Sequence, residues 1–251
     1  MKTLIKLSLV ITCVTLLFSC KKSDTPAPLK TYVSKITTSA GSTFLYTYDA
    51  QGRPQRETYS SGSPSNAYSI DYTQYDAQGR VLESVTHFPS GSSPDSRAVT
   101  TYDAAGNITR IYFFSHGSTT YSDFITYTYT AGKITIKFFD NATNLTGQEE
   151  YILTADGKNN AEVKFYIITP TPILARHDVY TYDTHINTDQ LFPDGFKGSP
   201  KNANNPASLA RTNTGSPVAN STFSYTYNSD GYVTKRTSSS GATIDYEYIK
   251  Q

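Results

Sequence analysis

Apolar and polar residues alternate with a period of two along most of this chain. Residues that share one predicted face are Ile134, Ile136 and Phe138; Phe223, Tyr225 and Tyr227; and Ile244, Tyr246 and Tyr248. The residues between them are Thr, Ser, Lys, Asp and Glu. A period of two with one polar face is typical of antiparallel β-strands. The pattern predicts an all-β protein.

A short motif recurs between the predicted strands. Tyr-Asp-x-x-Gly-Arg, or a close variant, begins at positions 48, 75 and 102, and weaker copies begin at 129, 153 and 227. Each copy predicts a β-hairpin turn, because Gly adopts a positive φ and Asp accepts backbone N–H bonds across the turn. Asp49, Asp76 and Asp103 are therefore interpreted as turn residues, and catalytic carboxylates are the less favoured alternative.

Each repeat unit has room for two strands, so the sequence predicts an antiparallel meander of repeated β-hairpins. Such a sheet must hide its apolar face, which predicts a strongly curled or partly closed sheet. Tyr-x-Tyr pairs place tyrosines on that face, where we expect them to stack across neighbouring strands. These pairs are 46/48, 127/129, 180/182, 225/227 and 246/248.

Residues 184–222 interrupt the pattern with Gly, Pro and Asn, which predicts one long irregular loop. The favoured interpretation is a cap over one mouth of the curled sheet, carried by Leu191, Phe192, Phe196 and Leu209. The alternative is a ligand-binding loop. Its candidate oxygen ligands are Asp183, Asn187, Asp189 and Asp194, although their spacing does not match an EF-hand.

The N-terminus has the layout of a secretion signal, with basic residues before a short apolar run. Leu17-Phe18-Ser19-Cys20 resembles a bacterial lipobox, which implies a signal peptide over 1–19 and an acylated Cys20. Residues 20–30 are polar and proline-containing and predict a flexible tether, with the β domain over 31–251. We expect a lipid-anchored envelope protein, in the outer membrane of a Gram-negative bacterium. An ordinary secreted protein is the alternative.

The repeated motif resembles the YD repeats of the RHS family over roughly residues 40–250. Together with the lipobox and tether, it resembles small YD-repeat lipoproteins of unknown function. The resemblance implies a β-repeat fold and carbohydrate binding. The chain departs from the toxin-enclosing members, since it holds far fewer repeats and shows no proteolytic core signature. A toxin-delivery role is not expected.

Composition and motifs limit the functions that the sequence predicts. Cleavage before Cys20 would lower Lys plus Arg from 22 to 20 against 21 Asp plus Glu, so the mature charge of about −1 gives no electrostatic basis for nucleic-acid binding. No zinc-protease, nucleophile-elbow or P-loop motif occurs. Glu149 and Glu150 are adjacent and point to opposite faces of a strand. The sequence thus predicts no cofactor, no metal and no enzymatic activity.

The leading hypothesis is a non-enzymatic binding or scaffolding module for a glycan, a peptide or an envelope protein. Tyrosine suits such recognition because its ring packs while its hydroxyl forms hydrogen bonds. Candidate binding residues are Tyr46, Tyr48, Tyr75, Tyr102, Tyr129, Tyr182 and Tyr227. Alternatives are a purely structural role for these tyrosines, a structural subunit of an outer-membrane complex, and a glycan-acting enzyme.

Overall fold

A computed structural model describes residues 29–61, 67–89, 94–192 and 199–251. The predicted signal peptide, the predicted lipid anchor Cys20 and most of the predicted tether lie outside these ranges. The described part contains sixteen β-strands and one short 3-10 helix, Thr188–Leu191. The strands are β1 Thr31–Thr38, β2 Thr43–Tyr48, β3 Pro54–Ser60, β4 Tyr68–Tyr75, β5 Val81–His87, β6 Ser96–Tyr102, β7 Ile108–Ser115, β8 Asp123–Thr130, β9 Lys133–Asp140, β10 Leu145–Leu153, β11 Asn160–Ile168, β12 Pro172–Ile186, β13 Asn204–Asn213, β14 Ala219–Tyr227, β15 Val233–Ser238 and β16 Thr243–Lys250.

Each strand pairs antiparallel with the next, and β16 pairs with β1, so the sheet closes into a barrel. The all-β meander is confirmed, and the curled sheet closes completely. Closure hides the apolar face and leaves no strand edge unpaired in the described part. Lys30 and Gln251 exchange backbone hydrogen bonds of 3.0 and 3.1 Å beside the β1–β16 seam. No helix in the described ranges is long and apolar enough to cross a bilayer.

The two ends of the barrel differ. The turns of the repeated motif all lie at one end, here called the motif end, together with the seam between Lys30 and Gln251. The opposite end, here called the far end, carries the turns around residues 39–42, 116–122, 141–144, 169–171, 214–218 and 239–242. The described part of the chain therefore begins at the motif end.

The motif turns form as the sequence predicts. Asp49 Oδ1 accepts the backbone N–H groups of Gln51 and Arg53, each at 2.9 Å, and Gly52 has a φ of 74°. Asp76 repeats both bonds, and Asp103 accepts the N–H of Asn107 at 2.8 Å. The prediction that these aspartates cap turns is confirmed.

Arginine and tyrosine link one motif to the next. Arg80 Nε donates to Asp76 Oδ2 at 2.5 Å, and its guanidinium carbon lies 4.4 Å from the ring centre of Tyr102. The Tyr102 hydroxyl donates to the backbone carbonyl of Val81 at 2.7 Å. Asp49, Arg53, Tyr75 and Pro54 repeat this arrangement one unit earlier. Each link therefore joins the turn of one hairpin to a strand of the next.

The apolar faces of the strands form the inner wall, as alternation predicts. One buried cluster gathers Val33, Tyr46, Tyr72, Val81 and Phe192, and a second lies on strands β7 to β11. The rings of Tyr180 and Tyr182 stack within their own strand, whereas Tyr227 stacks on His185 of β12 and Tyr48 contacts Tyr32 of β1. The clear cross-strand ladder instead joins residues outside the Tyr-x-Tyr pairs, namely Phe44, Tyr59, Tyr68 and Phe88.

The prediction of one irregular loop over all of 184–222 is wrong, because 17 of these 39 residues lie in strands. Strand β12 continues to Ile186, residues 204–213 form β13, and residues 219–222 belong to β14. Pairing on both sides overrides the weak strand propensity of this polar stretch. Pro206 is tolerated because it lies at a register shift opposite Tyr182. Leu209 is consequently a wall residue opposite Tyr180. Between β12 and β13, the described residues 187–192 and 199–203 are here called the plug segment.

Candidate binding site in the barrel lumen

The plug segment enters the lumen from the motif end and is tied to β13. Asn187, which is 6% exposed, accepts the Asp189 N–H at 2.9 Å and so caps the 3-10 helix. Its side-chain amide donates to the Asn204 carbonyl at 3.0 Å. Gln190 Nε2 donates to the Asn202 carbonyl at 2.8 Å. The two described parts of the segment are therefore held together and to the wall.

Phe192 anchors the plug in the core. Its side chain is 2% exposed, and its ring meets the ring of Tyr46 edge-on at 5.1 Å. Lys201 Nζ donates to the Phe192 carbonyl. Leu191 also packs against this cluster. Leu191 and Phe192 therefore pack against the wall of the barrel, while Phe196 lies outside the described residues.

A cavity of about 710 Å³ lies between the plug segment and the wall, here called the polar cavity. Its aromatic lining residues are Phe44, Tyr46, Tyr72, Tyr225 and Tyr246, and its charged ones are Glu57, Asp189 and Arg236. Asn187, Asn202 and Asn205 contribute amides. Concave sites of this size with apolar walls and a few convergent polar groups are typical ligand pockets.

The tyrosines of the polar cavity keep their protons. Burial raises the pKa of Tyr46 and of Tyr72, and the Glu57 carboxylate raises both further. Burial likewise raises the pKa of Tyr246. These groups are neutral phenols at physiological pH, able both to donate and to accept hydrogen bonds. The cavity therefore combines neutral hydroxyls with ionic groups of both signs.

The polar cavity reaches toward the far end. Thr38 and Ile244, which line it, are the end of β1 and the second residue of β16 and flank the far-end turns 39–42 and 239–242. Asn187, Thr188 and Asp189 line its opposite side. The plug segment therefore separates this cavity from the motif end.

A second cavity, of about 350 Å³, lies on the other side of the lumen and is called the apolar cavity. Its walls are mainly aliphatic and aromatic side chains from β5 to β9: Val81, Ala98, Ile111, Phe113, Ile125, Ile136 and Phe138. Tyr72 and Ser199 line both cavities, so the two are neighbours. A third cavity, of about 430 Å³, lies at the motif end against Tyr129, Gln190 and Phe192.

The lumen also holds an ion-pair network that the sequence analysis missed. Asp178 is 1% exposed. Its carboxylate accepts hydrogen bonds from Nε and from one terminal nitrogen of Arg211, at 2.7 and 2.8 Å. Arg176 lies 3.4 Å from Asp178 and 3.6 Å from Glu149. Glu149 also accepts the Tyr151 hydroxyl at 2.6 Å. Glu150 instead pairs with Lys133 on the outer wall, so the prediction that Glu149 and Glu150 face opposite ways is confirmed.

The predicted binding tyrosines fall into two groups. Tyr46 lines the polar cavity and Tyr129 the motif-end cavity. The hydroxyls of the others donate to groups of the wall: Tyr48 to Val33 at 2.7 Å, Tyr75 to Pro54, Tyr102 to Val81 at 2.7 Å, Tyr182 to Asn160 at 2.7 Å and Tyr227 to Asp183 at 2.8 Å. This second group stabilises neighbouring hairpins, and a binding role for its members stays a prediction.

The predicted loop ligands do not converge on one point. Asp183 accepts the Tyr227 hydroxyl and the N–H groups of His185 and Asn205, at 2.9 and 3.2 Å for the latter two. Asn187 caps the 3-10 helix, Asp189 lines the polar cavity, and Asp194 lies outside the described residues. Within the described ranges, no group of three or more His, Cys, Asp or Glu side chains is placed to hold a metal ion.

Sequence reasoning missed Glu57 and Arg236, which give the polar cavity its opposite charges. A usable signal was present in their strands. Glu57 lies two residues before Tyr59, and the register pairs Glu57 with Tyr46 and Arg236 with Tyr225, which are inward-facing tyrosines. A charged residue that points to the same face of the sheet as the tyrosines therefore predicts a charged group in the lumen.

Comparison with known proteins supports the identification of the repeated motif. Residues 33–64 match the RHS repeat family model, which confirms the resemblance to YD repeats. A porin-like protein from Bacteroides vulgatus has 12% identity and a TM-score of 0.47, with 86% of this chain and 98% of that chain covered. A porin-like protein from Bacteroides uniformis has 14% identity and a TM-score of 0.40, with 86% and 96% covered. No curated protein matches the chain. These distant likenesses carry no function to this chain.

Proposed function

We propose that this protein is a lipid-anchored, non-enzymatic binding protein of the cell envelope, and that its site is the polar cavity of the barrel lumen. The observation that carries the proposal is the lining of this cavity of about 710 Å³, where four tyrosines surround Glu57, Asp189 and Arg236. The ligand is then bound inside the barrel, and the motif tyrosines of the wall stabilise the barrel around it.

A glycan is the ligand class that this lining favours. Sugar rings present C–H faces that pack on tyrosine rings and hydroxyls that need both donors and acceptors. Glu57 and Asp189 can accept hydroxyl hydrogens, while Arg236 offers a fork of donors. A ligand without a strong charge is favoured because the lining holds two carboxylates and one guanidinium, so its charges largely offset one another. A peptide is the competing ligand, and the binding test separates the two.

Anchoring at Cys20 would present the cavity away from the membrane. The first described residues, Leu29 and Lys30, leave at the motif end, whereas the polar cavity reaches Thr38 and Ile244 near the far end. Nine residues between Cys20 and Lys30 span at most about 30 Å. A tethered barrel of this kind would expose its far end to the surrounding medium.

The outer wall supports attachment through lipid and not through the barrel itself. It carries exposed apolar side chains such as Leu45 and Val179 together with ion pairs. These pairs are Lys35–Glu247 at 2.8 Å, Arg56–Asp71 at 2.5 Å, Lys133–Glu150 at 3.3 Å and Lys164–Glu162 at 2.9 Å. Lys or Arg on the lipid-facing side of a membrane barrel costs about 2–4 kcal/mol at the bilayer centre. This wall is suited to contact with water.

The absence of catalysis is part of the proposal. Glu149 and Asp178 are engaged by Arg176, Arg211 and Tyr151, an arrangement that stabilises charges within the wall. Glu57 and Asp189 line the cavity. If either were a catalytic acid or base, ligand would be consumed, so the same assay that measures binding should also follow product formation.

Glycan-array screening of the purified protein, followed by calorimetry on the best ligand, tests the proposal. We expect Arg236→Gln and Tyr46→Phe to weaken binding at least tenfold. Arg56→Gln, on the outer wall of the neighbouring β3, is the matched control and should bind as the wild type does. Wild-type affinity in both lumen variants, or cleavage of the glycan, would contradict the proposal.

Anchoring needs a separate test. The wild-type chain expressed in a Gram-negative host with a labelled fatty acid should incorporate label and sediment with membranes. Cys20→Ser should abolish both. Equal label in the two chains would overturn the lipid anchor while leaving the lumen site standing.

A further inference from the structure

We infer that the ligand is amphipathic, with its hydroxyl-rich part in the polar cavity and an alkyl chain or similar apolar group in the apolar cavity. This inference rests on the proposed function and adds an apolar group to the ligand proposed there. Its starting point is that the two cavities differ in chemistry although they share Tyr72 and Ser199.

The apolar cavity is an unfavourable place for water. Its lining is dominated by Ala98, Ile111, Phe113, Ile125 and Phe138, and it measures about 350 Å³. A buried water is stable only when it has two to four polar partners, and cavities lined by aliphatic and aromatic groups bind apolar molecules instead. An alkyl chain that fills this space gains the free energy of leaving water.

Six of the residues that line the apolar cavity carry a polar group, against seven that are wholly apolar; the six are Tyr72, Ser84, Thr100, Tyr127, Glu149 and Ser199. Glu149 reaches it, but its carboxylate already accepts the Tyr151 hydroxyl and lies 3.6 Å from Arg176. Ser84 and Thr100 carry single hydroxyls. The cavity therefore selects for an apolar group and offers little to a second sugar.

Because the two cavities adjoin, together they form one site with a polar part and an apolar part. Tyr72 is 8% exposed and lies at the boundary, in the same buried cluster as Phe192 of the plug segment. A ligand whose polar and apolar parts are joined directly would place the junction beside Tyr72 and Ser199. Acylated or alkylated saccharides have this construction, whereas free oligosaccharides and free fatty acids each satisfy one cavity.

Fluorescence of N-phenyl-1-naphthylamine, which emits strongly in apolar surroundings, tests the inference on the full chain carrying Cys20→Ser, so that the protein's own acyl group is absent. We expect saturable emission from one site. Octyl glucoside below its micelle concentration should displace the dye at a concentration at least tenfold lower than either methyl glucoside or octanoate. Equal potency of octyl and methyl glucoside, or no saturable emission, would overturn the inference.

Two substitutions on β6 locate the site. Ala98 faces the apolar cavity between Ser84 and Phe113, so Ala98→Phe should weaken dye binding at least tenfold. Val99 faces outward between Glu83 and Tyr112, and Val99→Phe should bind the dye normally. If Ala98→Phe does not fold, Ala98→Leu adds less volume and should still weaken binding. Unchanged binding in a folded Ala98 variant would refute this location.

The outcomes also separate the inference from the proposed function. If glycans bind in the array but octyl and methyl glucoside displace the dye equally, the lumen binds saccharides and the amphipathic ligand is wrong. If octanoate matches octyl glucoside and no glycan binds, the proposed glycan function fails as well.

Discussion

Arg80 lies over the ring of Tyr102, with its guanidinium carbon 4.4 Å from the ring centre, while the same guanidinium bonds Asp76 of its own turn. Arg53 and Tyr75 form the same pair at 4.5 Å one unit earlier. At the third copy Asn107 replaces the arginine and bonds Asp103 alone. The arginine of the motif thus belongs to the joint between two hairpins and not to a ligand site.

Replacing Arg80 with the residue of the third copy should measure this joint. Arg80→Asn removes a cation–π contact and a partly buried ion pair, so we expect a loss of about 1 kcal/mol in the free energy of unfolding, followed by circular dichroism in urea. Lys235→Asn removes an exposed pair at 4.0 Å and should cost less. An equal or larger loss at Lys235 would show that the joint adds nothing.

Glycine in the turns of the barrel meets two separate requirements, a positive φ and the absence of a side chain. Gly52, in a motif turn, and Gly117, in a far-end turn, both have positive φ, at 74° and 67°. A Cβ at position 52 would collide with the Tyr32 hydroxyl, whereas at position 117 it would meet nothing within 4 Å. Gly117→Ala should cost about 1–2 kcal/mol from backbone strain alone, and Gly52→Ala should cost more. Equal melting temperatures in the two variants would show that Tyr32 moves aside freely.

Acid should weaken the motif turns. Burial opposes ionisation of Asp76, but the backbone N–H and guanidinium of Arg80 outweigh it and lower the pKa of the carboxyl. A lowered folded pKa contributes stability that is present above the unfolded value near 3.9 and is lost as pH falls through the folded value. Asp76→Asn should therefore flatten the dependence of unfolding free energy on pH below about 4.

The matched control for this pH experiment is Asp245→Asn on the outer wall, where the carboxylate is half exposed and 4.0 Å from Lys235. It should retain the acid sensitivity of the wild type. The interpretation fails if Asp76→Asn loses stability in acid as steeply as the wild type does.

We expect the stability of the plug segment to depend on Phe192. Removing a buried phenylalanine costs about 3–5 kcal/mol when its surroundings cannot collapse, and Phe192 is 2% exposed. We expect Phe192→Ala to speed hydrogen exchange at Asp189 and Gln190 more than at strand residues such as Tyr127. Phe192→Leu, which keeps most of the volume, should change exchange less. Unchanged exchange at Asp189 and Gln190 would mean that the bonds of Asn187 hold the plug alone.

Much of the wall follows from local sequence. The motif aspartates predict their turns because an Asx bond and a positive φ act within five residues, as at Asp49 and Gly52. Alternation places Ile134 and Ile136 on the inner face because side chains in a strand alternate without regard to distant contacts. The full closure of the sheet depends instead on pairing between β1 and β16, about 200 residues apart, which no local pattern encodes.

The site was harder to predict for the same reason. Strand β13 has weak strand propensity and forms because β12 and β14 pair with it on both sides, so its sequence predicted a loop. Glu57 and Arg236 meet in one cavity only after the barrel closes. The tyrosines were conspicuous in the sequence, but most bond to the wall, whereas the charged residues beside them define the cavity.

Methyl NMR during titration with the best glycan from the array tests the central claim most directly, because it reports where the ligand lies. Ile36, Ile70 and Ile244 line the polar cavity, and Ile249 is exposed on the outer wall. We predict saturable shifts at the three cavity isoleucines with Ile249 unchanged. Shifts confined to Ile249 and other outer-wall methyls would contradict a binding site in the lumen.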